Sequence, residues 1–213
     1  SFQSAVSDSN PYAASIAQVE FQRAQVNPGL PASVSPSSGS GSAQIFSFTY
    51  MDPNGYQDIS GSQIVINSTT SGAGACYILF ARGSNQIALG DDAGNPGSLT
   101  TLGAPTVLQN SQCSVLASNS SQTFSGNTIT LNLFVAFKPA FAGAKKVNTV
   151  FSTGVGVSSG LQLVGNFTAT VSTVKLSAVS VTPSSGTGRA QPFTFTYFDP
   201  NGYPNTSGTQ VLF

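Results

Sequence analysis

Apolar and polar residues alternate with a period of two along much of this chain, the pattern of half-buried β-strands. Over 44–51, Phe46, Phe48 and Tyr50 fall on one side and Ser47 and Thr49 on the other, which predicts a strand with one buried aromatic face. The clearest segment is TITLNLFVAF, 128–137, where Ile129, Leu131, Leu133, Val135 and Phe137 share a face. It reads as a central strand, ended by Pro139, which cannot donate to a ladder. Further strands are expected over 63–67, 76–82, 86–89, 111–117, 147–152 and 161–171, with a glycine- and proline-rich loop over 90–105. Asp52-Pro53-Asn54-Gly55 carries the residues of a tight turn. About nine short strands and no convincing helix predict an all-β fold, an immunoglobulin-like antiparallel β-sandwich.

The pattern itself recurs. Residues 33–66, SVSPSSGSGSAQIFSFTYMDPNGYQDISGSQIVI, match 180–213, SVTPSSGTGRAQPFTFTYFDPNGYPNTSGTQVLF, at a constant offset of 147, with 21 identities in 34 positions and no gap. That is a tandem repeat, and it sets the expected organisation. Residues 31–177 form one complete repeat, and 178–213 are the opening strands of the next, a possible donor segment. Residues 1–30 are the closing strands of a preceding repeat, or an extension, plus the linker Asn27-Pro28-Gly29-Leu30-Pro31. Within them Ala17, Val19 and Phe21 alternate as in a strand, although Ile16, Val19 and Arg23 also fit helical spacing. The sequence is accordingly expected to be a window on a longer periodic chain or a subunit with a partial second copy.

Composition narrows the function. Only 7% of residues are charged, and seven Lys/Arg balance seven Asp/Glu, so no net field draws in nucleic acid or an acidic membrane surface. No run approaches the roughly 18 to 20 apolar residues of a membrane span, so no membrane insertion is expected. Hydroxyls and amides supply the surface polarity. Cys76 and Cys113 are the only cysteines and are expected to pair. Closing that loop would stabilise the fold by roughly 3 to 4 kcal/mol in a chain-entropy account and would imply an exported protein. Two buried free thiols are the alternative.

Five strings, VTPSSGTG, FTFTYFDPNGY, GACYILF, NSQC and FKPAFAGAKKV, together resemble a tandem repeat of very large secreted proteins of soil and environmental bacteria. The resemblance covers the whole complete repeat. It implies an immunoglobulin-like or fibronectin-like sandwich in each copy, export and a tandem arrangement, and it implies no activity. In that family tryptophans and a basic residue often stand where this chain has 161–167, and this chain has no Trp.

Candidate chemistry is sparse. With no histidine in the sequence, imidazole-based triads and His-ligated zinc are excluded. Asp91 and Asp92 are adjacent, so in extended chain they point apart; they read as a turn, with a cation site alongside Asn95 as the alternative. Asp52, Asn54 and Asp58 occupy positions one, three and seven of an oxygen-rich calcium loop, against the plainer reading of turn geometry. Sequons place candidate glycosylation at Asn67, Asn119, Asn166 and Asn205. Tyr56 and Tyr203, each after a DPNG turn, are the candidate ligand-binding aromatics, unless they pack over the turn. The sequence thus predicts no enzyme and no cofactor. It predicts a secreted structural subunit of an extracellular filament or surface array, whose partners are copies of itself, joined head to tail and by strand addition. The alternative is an adhesin or carbohydrate-binding accessory module that meets surface glycans.

Overall fold

The computed structural model describes residues 30–154, 156–171, 177–198 and 209–212. The chain divides into two units, Ser1–Leu30 and Pro31–Phe213, and the second is described below. The strand expected around Phe21 lies outside the described residues.

The fold is all-β. One five-stranded sheet runs in the order β1 (Ala32–Ser35), β3 (Ala43–Met51), β10 (Thr128–Phe137), β9 (Cys113–Ser125), β8 (Val107–Gln109). A seven-stranded sheet runs β2 (Ser38–Gly41), β12 (Gln162–Ala169), β11 (Gly143–Thr153), β4 (Ile59–Asn67), β5 (Cys76–Ala81), β6 (Gln86–Leu89), β7 (Thr100–Thr101). A separate pair, β13 (Ser177–Thr182) and β14 (Thr194–Phe198), makes a third sheet.

Alternation decides which faces meet. In β3 and β10 the inward residues Phe46, Phe48, Tyr50, Ile129, Leu131, Leu133 and Val135 are all fully buried. They face the other sheet, where Phe167 of β12 lies edge-on to Phe46 at 5.2 Å and Phe151 of β11 is 5.1 Å from Tyr50. Such ring contacts add stability beyond the area they bury. One polar thread crosses this core: the Tyr50 hydroxyl donates to Thr149 Oγ1 at 3.0 Å, and Thr149 donates to the Gln63 carbonyl. Burial, only partly offset by the hydroxyls of Ser62 and Thr149, pushes the Tyr50 phenol up to about 12.

The sheets are not purely antiparallel, which corrects the antiparallel sandwich that the alternation predicts. The first segment switches sheets at Pro36: β1 pairs antiparallel with β3, and β2 pairs parallel with β12. That parallel pairing needs close approach, and a Cβ at Gly165 would fall 2.7 Å from the Ser37 carbonyl oxygen. β7 and β8, too short to show a period, were also invisible in the sequence.

Candidate functional site

Three places could carry function: the DPNG turn, the surroundings of the cysteines, and the second copy of the repeat head.

In the turn, Asp52 is buried and its Oδ1 accepts the Asn54 N–H at 2.8 Å, while Gly55 closes the turn onto the Asp52 carbonyl. Gly55 sits at φ 109, in the region that favours glycine. Asn127 locks the turn from the neighbouring hairpin by donating to the Pro53 carbonyl. Asp58 engages through its backbone carbonyl, which accepts the Gly154 N–H, and Asn54 is exposed. Among the described residues no three carboxylate, cysteine or histidine groups gather as a metal site would require. Tyr56 stacks on Phe124, with ring centroids 4.6 Å apart, and so packs over the end of the sandwich. Its counterpart Tyr203 lies outside the described residues, as do Asp199, Asn201 and Asn205.

Cys76 of β5 and Cys113 of β9 form a disulfide that ties the two large sheets together across a Cα–Cα distance of 5.6 Å. Both cysteines are fully buried. Around them runs a dense hydrogen-bond network. Asn110 donates through Nδ2 to the carbonyls of Ala75 and Gly90, and its Oδ1 accepts the N–H groups of Gln112 and Cys113. Asp92 accepts the Ser111 hydroxyl and N–H, and that contact, hydroxyl first, holds its carboxyl below the usual range. Asp91 is held below it by the Asn95 side chain and then the Asn95 backbone. Asp91 therefore closes the loop on itself, and Asp92 pins it to Ser111, just before β9. Sequence reasoning did not assign Asn110 this role, although NSQC places it three residues before the cysteine.

The sequon asparagines differ. Asn67 is buried and spends its Nδ2 on the carbonyls of Ser71 and Ala73. Asn119 and Asn166 are exposed, and Asn166 lines an open groove of about 540 Å³ with Ser38, Ser68, Lys146 and Thr168.

The second head repeats the geometry of the first. Ser33↔Thr49, Val34↔Phe48 and Ser35↔Ser47 pair β1 with β3; Ser180↔Thr196, Val181↔Phe195 and Thr182↔Thr194 pair β13 with β14. Each partner in these three pairs of the second set is its counterpart plus 147, and the match stops there, because a register shift sets Tyr197 opposite Ala178 where Tyr50 faces Ala32, the counterpart of Val179. The ring ladder also recurs: Phe46 to Phe48 and Phe193 to Phe195 are both 6.2 Å, and Phe48 to Tyr50 and Phe195 to Tyr197 are both 6.5 Å. Cover differs as well. Phe46 and Tyr50 are fully buried, while Phe193 is 41% and Tyr197 39% exposed.

No protein-family model, no curated protein and no solved structure matches this chain. Function must therefore be argued from the geometry above. Among the described residues no helix is long and apolar enough to cross a membrane. The buried disulfide fits an oxidising compartment.

Proposed function

We propose that this chain is a structural unit of an extracellular bacterial filament or surface array, in which immunoglobulin-like domains of a 147-residue period follow one another head to tail. The observation that carries the reading is the second head, paired in the register of the first with its aromatic ladder partly bare. A disulfide between sheets and an opening segment shared by both sheets support the immunoglobulin-like assignment. The work of such a unit is mechanical. Each sandwich encloses its own core, the Cys76 and Cys113 bridge with the Asn110 and Asp92 network keeps the sheets from parting, and neighbouring units contact one another along one dimension.

The described carboxylates suit this role, since Asp52, Asp91 and Asp92 are each engaged in fixing a turn or loop. Tyr56, the aromatic an adhesin would use, has its ring against Phe124. Electron microscopy of the full chain beside a variant lacking 178–213 tests the reading. The full chain is expected to form extended, regularly spaced strings, and the variant dispersed folded particles. Dispersed particles from both, or strings from both, would overturn it.

A further inference from the structure

We propose that Asn166 carries an N-linked oligosaccharide and that its first sugars lie along the groove beside β12. The inference rests on the export that the array reading requires, and on neither the tandem arrangement nor the second head.

Three of the four sequons fall within the described residues, and their acceptor groups are in different states. At Asn67 the side chain is buried, Nδ2 donates to the carbonyls of Ser71 and Ala73, and Oδ1 accepts the Ser68 N–H. A sugar on that nitrogen would have no place in the folded sandwich. At Asn119, Oδ1 accepts the Ser118 hydroxyl, and the hydroxyl that completes the sequon, Ser121 Oγ, accepts Asn132 Nδ2 at 3.3 Å. At Asn166 both ends of the sequon are exposed, and among the described residues neither Asn166 nor Thr168 spends its side chain on a hydrogen bond.

Strand geometry brings those two ends together. Phe167 points into the core, 2% exposed and edge-on to Phe46, so Asn166 and Thr168 share the outer face of β12. Asn166 lies between Lys146 of β11 and Ser38 of β2, each directly opposite it. With Ser68 and Thr168 they line the groove of about 540 Å³, a size that seats small ligands. Hydroxyl groups and the Lys146 ammonium therefore stand beside the acceptor nitrogen, and no carboxylate lines the groove. Sugar hydroxyls find both donors and acceptors there.

The donor is an oligosaccharide joined through a diphosphate to a lipid, used by a transferase at the export membrane. Asn166 Nδ2 bonds to C1 of the first sugar, the C1–O bond to the diphosphate breaks, the lipid diphosphate leaves, and Nδ2 gives up one proton. In the folded chain Asn166 is paired on both sides and its N–H is held by the Ser37 carbonyl, so transfer precedes the pairing of β12.

The test uses the full chain secreted by its own host. Its tryptic peptide 147–175 holds Asn166 as its one sequon, and 24–82 holds Asn67 as its one. Mass spectrometry is expected to find an oligosaccharide on 147–175 and none on 24–82. Asn166→Gln and Thr168→Ala, both at exposed positions, should each abolish the added mass. In brief acetylation of the folded chain, Lys146 is expected to react several-fold more slowly, relative to Lys138, in the parent than in Asn166→Gln. A bare 147–175 would overturn the proposal, and equal Lys146 rates would reject the seating of the sugar in the groove. A bare peptide from a chain that forms regular strings rejects the site and leaves the array. A glycosylated one from a chain that never forms strings rejects the array and leaves the site.

Discussion

Residues 33–51 and 180–198 share 13 of 19 positions in two situations, and only one of them is a core. Both form a two-stranded ladder that shares its register over three pairs and has the same ring spacing, so local alternation goes far to set strand, face and pairing. Burial is not local. Phe46 is enclosed because β10 supplies Leu133 beside it and β12 supplies Phe167 above it, from positions 87 and 121 residues away in sequence, the differences 133 − 46 and 167 − 46. Phe193, just before β14 and after Pro192, keeps the same ring neighbour, Phe195 at 6.2 Å, and remains 41% exposed. The head of the repeat therefore specifies a shape, and the tail of the repeat provides the free energy that holds it.

This contrast can be broken by matched substitutions. The largest difference is expected from Phe46→Ala against Phe193→Ala. The first should lower the unfolding free energy of the sandwich by about 3 to 5 kcal/mol in urea melts, through lost transfer energy and a cavity, and the second should change it by at most about 0.5 kcal/mol. Equal costs would mean that the second ladder is as enclosed as the first.

Tyr50 reports the same enclosure through pH. Its folded-state phenol, pushed up to about 12, lies above the ordinary value near 10, so the unfolded chain releases that proton first as pH rises. Stability from this group is full below about pH 10 and declines by roughly 2 to 3 kcal/mol up to about pH 12. Denaturant midpoints across that range should show the decline in the parent and a shallower one in Tyr50→Phe. An unchanged slope in the variant would place the alkaline sensitivity elsewhere.

The smallest expected effect concerns a glycine. A Cβ at Gly39 would come within 3.1 Å of the Phe167 ring, whereas one at Gly186, its counterpart, meets nothing within 4 Å. Gly39→Ala should cost about 1 kcal/mol by crowding the core, and Gly186→Ala should cost nothing measurable in the same melts. A cost at Gly186 would show that a β12-type ring already lies over it.

How much of this was legible in the sequence follows from the same distinction. β10 was readable residue for residue, because a strand between a clear turn and a proline with five alternating apolar residues leaves little freedom, and β6 also falls on its expected bounds, 86–89. The disulfide was readable from there being two cysteines. β9 runs eight residues past the expected end at Ala117, to Ser125, because its second half, SNSSQTFS, has Phe124 as its one apolar residue and so shows no alternation, and its pairing with β10 fixes it instead. A register shift between Asn132 and Phe134 lets it continue, with Ser120 Oγ accepting the Phe134 N–H. The switch of the opening segment from one sheet to the other was hidden too, since SGSG has no apolar period and pairs with β12 through backbone alone. At the candidate sites, Tyr56 was visible as an aromatic after a turn, but its partner Phe124 is distant in sequence and nothing local announces it.

Amide hydrogen exchange on the full chain tests most directly whether one sequence is a core in one place and an open ladder in the other. The amides of Phe46, Phe48 and Tyr50 are expected to exchange only on global unfolding, and those of Phe193, Phe195 and Tyr197 orders of magnitude faster, by local opening. Equal, global-level protection of both sets would contradict it.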